Sequence, residues 1–466
     1  MKIEATTKDA YALLHEGSLV MAEMEHNGIC VDTDYVIKIR RKIQQRIEKL
    51  TDDMKQDKIY KRWRKEYGSK IKIGSRSQLG HVLFDLMDYR SLAQTEGGRH
   101  KADSEALEYL NLPFIGKYLQ CEKLKKAHNT YLVNILNETV DGVMHPNFNL
   151  HMARTFRGTS SEPNFQNIPT RDPLIKKLVR RAIIPRLGHC LVDIDFKGAE
   201  VCAASWYHKD PVMLKYITDP TKDMHGDMAQ QIYMLSKKLL TSDIRYCAKN
   251  KFVFPQFYGD WWLNCAAQLW RAIDSMKLKT TKGMPLKKWL EKQGIMCLGT
   301  GDPKDINPES FEAHLKDVEE DFWYNRFNVY REWKEQWWND YQETGFFKML
   351  NGFEVSGYID RKQCINIPIQ GTAFHCLLWS LCRISKLLKK YKMKTKLVGQ
   401  IHDDAVADVP EKELENYIEI AMDVITRQLR KHWFFIVTPM RVEVKVTPVD
   451  SSWYMKKAYD VQKKQT

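Results

Sequence analysis

The sequence predicts an α+β protein, in which long helical stretches surround a few buried strands. A run with strand character, Leu191 to Asp195, leads through a small-residue turn into the helix-compatible Ala199 to Lys209. Two more strand-like segments, Lys396 to Ile401 and Ala405 to Val409, are separated by an acidic turn. Helical periodicity covers four longer stretches: residues 17 to 50 with a break at 27 and 28, residues 103 to 136, residues 322 to 341, and a stretch that ends near residue 389.

The composition indicates a globular protein with a polyanionic partner. A chain of 466 residues, 43% of them hydrophobic, is long enough for two or three subdomains. The excess of 73 Lys and Arg over 59 Asp and Glu gives a net charge of +14, which favours nucleic acid over a membrane, although a merely solvated basic surface has the same charge. No apolar run fits a membrane helix or a signal peptide, so a cytoplasmic protein is expected. The ten scattered cysteines form no CxxC pair and are expected to be reduced thiols.

Two acidic turns are the candidate centre of the chemistry. Asp195 follows the first strand, and Asp403 and Asp404 occupy the turn between the two later strands. A single aspartate after a strand is usually a turn residue or a helix N-cap. Two carboxylate sites on adjacent strand ends, however, could hold two hard divalent cations.

Cations followed by aromatic residues occupy one helical face between residues 245 and 258. Arg245 and Lys249 are four residues apart, as are Phe254 and Tyr258, so each pair shares a helix face. Such a face could bind a triphosphate and stack on a base. The alternative is that the aromatic residues of this segment belong to the core.

Two polar segments indicate contacts with nucleic acid. The loop from His151 to Arg171 is rich in side chains that can donate to phosphates or base edges. Residues 55 to 76 are basic and aromatic, and the short donors Ser75, Arg76 and Gln78 lie at the end of this stretch. A solvated helical face and a surface that contacts the duplex backbone both fit the second pattern.

Six segments resemble, in order along nearly the whole chain, the DNA polymerases of family A, particularly the bacteriophage branch. Their three catalytic motifs are matched by Asp195 to Cys202 (DFKGAEVC, usually DYSQIELR), Arg245 to Gly259 (usually RxxxKxxxFGxxYG) and Ile401 to Asp404 (IHDD, usually VHDE). Three further segments are similar to family signatures: Met24 to Asp32 (MExxGIxVD), Arg157 to Pro169 (TGRLSSxxPNLQNIP) and Asn366 to Ala373 (NxPIQGTA). Six ordered matches are far more specific than any one of them.

The resemblance implies a right-hand polymerase fold with an antiparallel palm sheet, helical fingers and a helical thumb. Residues 1–150 would form the thumb with a segment that packs on the palm, and residues 151–218 the first part of the palm. Residues 219–350 would form the fingers, with an insertion at about 261–320, and residues 351–466 the second part of the palm.

The resemblance also implies a function. The protein would be a DNA-directed DNA polymerase in DNA replication that adds dNTPs to a primer 3′-OH with two Mg²⁺ ions. Its partners would be primer-template DNA and dNTPs, with or without a separate exonuclease or replisome subunit. No membrane would be involved, and the protein would act as a monomer. The chain begins almost at the thumb, which leaves no room for a 3′–5′ exonuclease domain, so no proofreading is expected.

The resemblance assigns roles residue by residue. Asp195 and Asp403 would coordinate both metal ions, and Asp404, where the family has glutamate, would be a metal ligand or an outer-shell carboxylate. Lys249 would also protonate the leaving group. The dNTP-binding residues would be Arg245, Lys249, Phe254, Tyr258, His225 and Glu200, with Glu200 excluding a ribose 2′-hydroxyl. The DNA-binding residues would be Arg157, Asn164, Gln166, Asn167, Arg361, Asn366, Gln370 and His402, with Ser75, Arg76 and Gln78 on the duplex.

Three departures from the family pattern leave questions open. Nine steps separate Lys249 from Tyr258 where the family has eight, and a bulge or a kink in the helix could restore the register. Either Val253 or Phe254 then occupies the sugar-contacting position. Cys202 replaces an arginine at the end of the first motif. Arg361 lies five residues before Asn366 instead of four, so Arg361 and Lys362 compete for one phosphate contact.

Other functions fit the residues less well. A single-subunit RNA polymerase is disfavoured by Glu200 at the sugar gate, by Phe254 where a tyrosine is expected, and by the lack of a promoter-recognition domain. A reverse transcriptase is disfavoured because its pattern lacks this helix and turn. A catalytically inactive DNA-binding module would have no need for carboxylates that face phosphate.

Overall fold

The computed structural model describes residues 4–91, 100–170 and 172–460. An N-terminal helical region comes first, with seven α-helices and four short strands in its described part. In chain order they are α1 (Thr7–Asn27), β1 (Ile29–Cys30), α2 (Thr33–Lys55), α3 (Lys58–Tyr67), α4 (Arg76–Gly80), α5 (Ser104–Tyr109), α6 (Pro113–Lys125), α7 (Val133–Asn137), β2 (Thr139–Val140), β3 (Val143–Met144) and β4 (Asn147–Asn149).

The first helix starts ten residues earlier than the sequence predicts. Thr6 and Asp9 form a capping box, in which each side chain accepts the other residue's backbone N–H, so the helix begins at Thr7. The predicted break at Gly28 is confirmed, because Gly28 ends α1 with a φ of +61°. A Cβ there would lie 2.5 Å from Val143, so the close approach of β3 also requires glycine. The predicted helix over 103–136 is divided among α5, α6, a π-helical segment and α7.

A central five-stranded sheet follows, in which all neighbouring strands are antiparallel. The elements that build it and its surroundings are β5 (Thr159–Ser161), α8 (Pro173–Arg180), β6 (His189–Phe196), α9 (Ala199–His208), β9 (Lys396–Ile401), β10 (Asp404–Pro410), α19 (Leu414–Asp423), α20 (Leu429–His432), β11 (Val442–Val446) and β12 (Lys457–Ala458). The strand order is β12-β11-β6-β10-β9, and the middle strand β6 is buried along nearly its whole length. The predicted antiparallel sheet is therefore confirmed.

Between the two halves of this sheet the chain forms a second helical region. Its elements are α10 (Pro211–Thr218), α11 (Met224–Ile232), α12 (Ser242–Ala248), α13 (Phe254–Phe257), α14 (Trp262–Ser275), α15 (Leu286–Lys292), α16 (Phe311–Glu320), α17 (Asn328–Thr344), β7 (Phe346–Lys348), β8 (Glu354–Ser356) and α18 (Arg361–Lys390). The last of these, α18, returns the chain to the sheet. It begins at a capping box of Asp360 and Gln363 and is buried along most of its 30 residues.

None of the helices in the described part of the chain is both long and apolar enough to cross a membrane. The described cysteines form no disulfide, as the sequence predicts.

Candidate active site

The two acidic turns lie side by side where the neighbouring strands β6 and β10 of the sheet meet at their ends. Asp195, near the end of β6, is directly opposite Asp404, the first residue of β10, so both side chains project from the same face. The turn before β10 contains only His402 and Asp403, and His402 has a φ of +53°. The Phe196 N–H donates to the Asp403 carbonyl at 3.1 Å, which fixes this turn against the end of β6. The prediction of carboxylates on adjacent strand ends is confirmed.

These three carboxyl groups repel one another in a partly buried site. Burial raises the pKa of Asp195 to about 6, an effect that Lys445 opposes and that the charge of Asp403 reinforces. Burial also raises the pKa of Asp403, and burial together with the charge of Asp195 raises the pKa of Asp404 well above its ordinary value. One buried oxygen of Asp404 has no hydrogen-bond partner among the described residues, and the buried Oδ1 of Asp403 has only the Arg157 guanidinium, 3.6 Å away. Buried carboxylates that repel one another in this way fit a divalent cation.

The protein would supply only part of the coordination of such a cation. Within the described ranges, no group of three or more His, Cys, Asp or Glu side chains is close enough to hold a metal ion. Magnesium is usually held in this way, by one or two carboxylates together with substrate phosphates and water. The donor set therefore fits Mg²⁺ that arrives with a phosphorylated substrate.

A polar contact connects the carboxylates to the helix of the second region. The Tyr258 hydroxyl donates to Glu200, the second residue of α9. Arg157 lies 3.0 Å from the same carboxylate and 3.6 Å from Asp403, so it bridges the two acidic groups. Burial raises the pKa of Glu200, and the charge of Arg157 opposes this shift. The side chains predicted to select the nucleotide and to bind the metal thus form one continuous polar cluster.

A π-helical segment, Lys249–Val253, absorbs the extra residue of this helix. The predicted bulge is therefore confirmed. The Lys249 ammonium lies 5.1 Å from the centre of the Phe254 ring, and His225 contacts the same ring edge-on at 5.7 Å. Val253 is fully buried. The geometry therefore favours Phe254 over Val253 as the residue that faces the substrate side.

Asp223 holds Arg245 through two hydrogen bonds of 2.7 Å to its Nε and Nη2 atoms. Such a paired arrangement fixes the direction of the guanidinium. No carboxylate of the described residues lies within 4 Å of Lys249, so its charge is available to a ligand. Burial, and then the charges of Lys249 and Arg245, lower the pKa of His225 to about 4, which makes this imidazole neutral at pH 7.

The predicted DNA-binding loop supports the acidic turn. The Gln166 amide donates to Gly158 O at 3.0 Å and to Gln400 Oε1 at 2.6 Å, and the Gln400 amide donates to the His402 carbonyl. Asn164 accepts the Asn167 N–H at 3.1 Å and caps a short 3₁₀ turn. Burial lowers the pKa of His402. These bonds hold the loop beside the carboxylates, while contacts of its side chains with DNA stay a prediction; Arg171 lies outside the described residues.

Some of the other residues predicted to bind DNA already have partners in the protein, and others do not. Arg361 forms an ion pair with Glu335, whereas the side chain of Lys362 passes close to Gly259. The amides of Asn366 and Gln370 make no hydrogen bond to another described residue, so both can bind a ligand.

The three donors of the N-terminal region are used internally. Gln78 accepts from Trp63 Nε1 at 3.1 Å and from Lys72 N at 2.9 Å. Arg76 donates to Ser104 at 2.9 Å, and Ser75 accepts the Gln78 N–H at 3.3 Å. These bonds shape the basic loop, and contacts of the three side chains with a duplex stay a prediction.

Sequence reasoning missed several residues that shape the site. Arg180 lies 4.0 Å above the Trp453 ring, donates to the Pro169 carbonyl at 2.9 Å and is one of the cations that act on Asp404. Lys445 acts on Asp195 from the neighbouring strand. Asp223 directly precedes α11, whereas no spacing in the sequence indicates Arg180 or Lys445.

The family profile and the most similar curated proteins both point to DNA polymerases. The profile of DNA polymerase family A matches residues 36–280 and 344–454. DNA polymerase I of Chloroflexus aurantiacus is 25% identical over 441 residues, which cover 92% of this chain and 42% of that protein. The thermostable DNA polymerase I of Thermus thermophilus is 23% identical over 443 residues, with 92% and 46% coverage. The chain thus spans less than half the length of these curated relatives.

The fold has a solved counterpart. The POL domain of Pol1 from M. smegmatis, in a complex with DNA primer-template and dNTP, superposes with a TM-score of 0.70 at 20% identity. The match covers 94% of this chain and 70% of that one. The right-hand fold expected from the sequence motifs is therefore confirmed.

Proposed function

The chain belongs to DNA polymerase family A, and on that premise we propose that it is a template-directed DNA polymerase that adds dNTPs to a primer 3′-OH. One observation carries the proposal. Tyr258 bonds to Glu200, and Arg157 bridges Glu200 to Asp403, so the helix that would select the nucleotide is connected directly to the acidic turn.

Asp195 and Asp403 would hold two Mg²⁺ ions, with Asp404 as a further ligand or a supporting carboxylate behind them. When bound, the metal lowers the pKa of the primer hydroxyl and neutralises charge on the triphosphate. The protein contributes rigid positions for these oxygens, because the register of β6 and β10 and the two-residue turn fix all three aspartates.

Arg245, Lys249 and His225 would bind the triphosphate. Arg245 is already oriented by Asp223, and neutral His225 can donate one hydrogen bond to a phosphate oxygen. Lys249, whose ammonium has no carboxylate partner in the described part of the chain, would give a proton to the leaving pyrophosphate.

Glu200 would select deoxyribose, because its carboxylate, which Tyr258 and Arg157 hold in position, would occupy the space that a 2′-hydroxyl needs. Phe254 would contact the sugar, and Tyr258 would lie beside the templating base. Asn366, Gln370, His402 and the loop residues Arg157, Asn164, Gln166 and Asn167 would contact the minor groove and the primer end, where acceptor positions are similar for all correct pairs.

We also propose the subdomain assignment that follows. The N-terminal helical region, within residues 1–150, would be the thumb, with Ser75, Arg76 and Gln78 at its DNA-binding loop. Residues 151–218 and 351–466, which contain the sheet, would be the palm, with Arg361 at its edge. Residues 219–350 would be the fingers, and the family profile leaves out residues 281–343 of this part.

Extension of a 5′-labelled primer on a DNA template with Mg²⁺ tests the proposal. Templated extension with dNTPs and little with rNTPs is the expected result. Asp195→Asn should lower turnover by at least about 10³-fold and leave primer-template affinity nearly unchanged, because a metal ligand is lost and no DNA contact is. Asp34→Asn, an exposed position on α2, is the matched control. Efficient rNTP use would indicate an RNA polymerase, and tight binding without extension would indicate a DNA-binding module.

A further inference from the structure

Gln256 is a buried polar residue in the middle of the short helix that carries Phe254. It is 1% exposed and lies in α13, two residues after Phe254 and two before Tyr258. Two residues correspond to about 200° of helix rotation, so the Gln256 side chain leaves the helix on the side opposite these two aromatic residues. The partners of its amide therefore lie inside the protein.

Both ends of the Gln256 amide are hydrogen-bonded to residues that follow much later in the chain. Its Nε2 donates to the carboxylate of Glu319, near the end of α16. Its Oε1 accepts from Trp323 Nε1 at 2.7 Å, and Trp323 lies in the π-helical segment Asp321–Arg326. The Nε2 also contacts Cys265 Sγ at 3.7 Å. Gln256 is thus held from two directions.

Glu319 is a half-buried carboxyl group with several polar neighbours. Burial raises its pKa to about 7. The Gln256 amide, the Trp262 N–H and the charge of Lys334 oppose this shift. The Lys334 ammonium also lies 3.1 Å from the centre of the Trp323 ring. Glu319 therefore connects α16 with α13, with the start of α14 and, through charge, with α17.

Aromatic packing surrounds these polar contacts. Phe257, the neighbour of Gln256, packs against Tyr330 at 5.8 Å and Trp323 at 6.2 Å between ring centres. Such apolar contacts stabilise burial without fixing one orientation. Hydrogen bonds weaken steeply when their angles change. The two bonds of Gln256 therefore fix the rotation of α13 about its axis, and with it the direction of the aromatic residues on its opposite side.

The partners of Gln256 belong to a part of the chain that the family profile does not match. The profile leaves out residues 281–343, which contain Glu319, Trp323 and Lys334. The motifs of the sequence therefore assign these residues no role, and their contacts with α13 are visible only in the structure.

We propose that Gln256, Glu319 and Trp323 are positioning residues for the incoming nucleotide, and we call the three side chains the Gln256 anchor. They act through α13, because they hold it in the orientation in which Phe254 and Tyr258 face the substrate. The inference rests on the proposed function, which assigns nucleotide contacts to these two aromatic residues. Loss of the anchor should therefore weaken dNTP binding more than it slows the chemical step.

Removal and exchange of the anchor bonds test this role. Gln256→Leu keeps a similar volume and removes both bonds. The double variant Gln256→Glu, Glu319→Gln exchanges the amide and the carboxylate, so their bond forms with reversed roles and Trp323 still has an acceptor. Extension by one nucleotide measures kcat and KM, and equilibrium dialysis with a labelled dNTP measures Kd without turnover.

The two variants should behave differently. Gln256→Leu should raise the KM and the Kd for dNTP about tenfold, the effect of losing a hydrogen bond to a charged group, and lower kcat less than about threefold. The exchanged double variant should keep both constants within about twofold of those of the unmodified protein, because the bond between the two positions is restored.

A milder variant and a matched control complete the set. Trp323→Phe keeps an aromatic ring, loses the indole N–H and should raise the KM about threefold; it decides the question if Gln256→Leu does not fold. Gln336→Leu is the control, because Gln336 donates to Asp340 at 2.6 Å on the exposed side of α17. This variant loses the same kind of bond and should leave KM and Kd unchanged.

Two outcomes would overturn the inference. If folded Gln256→Leu and Trp323→Phe keep the KM and the Kd for dNTP, the bonds only stabilise the fold, even when Tm falls. If the exchanged variant is as defective as Gln256→Leu, the bond is not what positions α13.

The proposed polymerase activity is read separately, from primer extension by the unmodified protein. If this protein extends no primer, yet its dNTP Kd responds to the variants as expected, the Gln256 anchor stands and the polymerase proposal fails. A protein that extends no primer and binds no dNTP contradicts both.

Discussion

At the scale of single residues, Glu200 is the sharpest test of nucleotide selection. Its carboxylate accepts from Tyr258 and pairs with Arg157, so it is fixed in position. Glu200→Ala should raise the use of rNTPs relative to dNTPs by about 10–100-fold, because both the bulk and the hydrogen bond at the sugar position are removed. The ratio of kcat/KM for the two substrates measures this change.

Tyr258→Phe separates two explanations of that result. This variant keeps the ring and removes the hydroxyl that donates to Glu200. If bulk at Glu200 alone excludes the 2′-hydroxyl, sugar discrimination stays within about twofold of the unmodified protein; if the hydrogen bond positions Glu200, discrimination falls in both variants. If Glu200→Ala itself leaves the discrimination between dNTPs and rNTPs unchanged, Glu200 does not select the sugar.

We expect a side chain at Gly226 to weaken dNTP binding, because the Asp223 carboxylate lies close to this glycine. A Cβ on Gly226 would lie 2.5 Å from Asp223 Oδ2, so Gly226→Ala must displace the group that holds Arg245. We expect the KM for dNTP to rise about fivefold to tenfold from the loss of a charge-assisted contact. Thermal stability should not fall, because alanine is the better helix former by up to about 1 kcal/mol.

Gly116→Ala is the control for this variant. Gly116 lies in α6, and a Cβ there meets nothing within 4 Å. It should gain the same helix propensity and keep the KM for dNTP. Equal KM values in both variants would show that Asp223 does not position Arg245.

The sequence predicts the candidate catalytic and binding residues better than it predicts the residues that hold them in position. Asp195, Asp403 and Glu200 stand in short local patterns, and their positions follow from strand ends and a helix start. Asp223 and Arg180 act on residues that are remote in sequence, and such side-chain contacts depend on packing that no local spacing encodes.

At the scale of elements, the π-helical segment is the main departure from the family pattern. It adds one residue to the helix turn and places Phe254 next to Lys249 and Tyr258 next to Glu200. Deletion of Asn250 should restore the family spacing as a regular helix and retain at least about a tenth of the activity. Insertion of one alanine after Asn250 should turn Tyr258 away by about 100° and abolish nucleotide selection.

Primer extension and circular dichroism measure the two length variants. Helix content should be similar in both, so that a difference in activity reports the direction of Tyr258. Equal loss of activity in the deletion and the insertion would show that the helix needs the π-turn itself.

The three strands that the sequence predicts agree with the structure better than the helix ends do, although β11 and β12 of the same sheet have no counterpart among the predictions. The acidic turn and its flanking hydrophobic runs predict β9 to the residue and β10 to within one residue at either end. The predicted helix over 103–136 is instead interrupted, because Pro113, which has no N–H to donate, begins a new helix after α5, and because a π-turn follows Lys125. Local periodicity does not register such interruptions.

At the scale of the whole molecule, two buried neutral histidines connect folding to pH. His208 lies in α9 and stacks on Tyr330 at 4.0 Å, and its Nδ1 accepts the Asp210 N–H at 2.9 Å. His375 lies in α18, stacks on Phe353 at 4.0 Å and accepts from Asn351 at 2.6 Å. Burial lowers the pKa of each imidazole to about 3. Both helices also carry residues of the proposed active site, so protonation of either histidine would disturb that site.

The direction of the pH effect follows from these shifts. An unfolded histidine has a pKa near 6.5, so as the pH falls below 6.5 the unfolded chain binds protons that the folded protein does not. Each histidine then removes up to about 1.4 kcal/mol of unfolding free energy per pH unit, until the pH reaches about 3.

Urea unfolding between pH 7 and pH 4.5 should show a steep loss of stability. The double variant His208→Phe, His375→Phe should be less stable at pH 7 because two hydrogen bonds are lost, yet its stability should fall less steeply with acid. The exposed His26→Phe should leave the slope unchanged, and a slope equally steep in the double variant would mean that carboxylates alone cause the acid sensitivity.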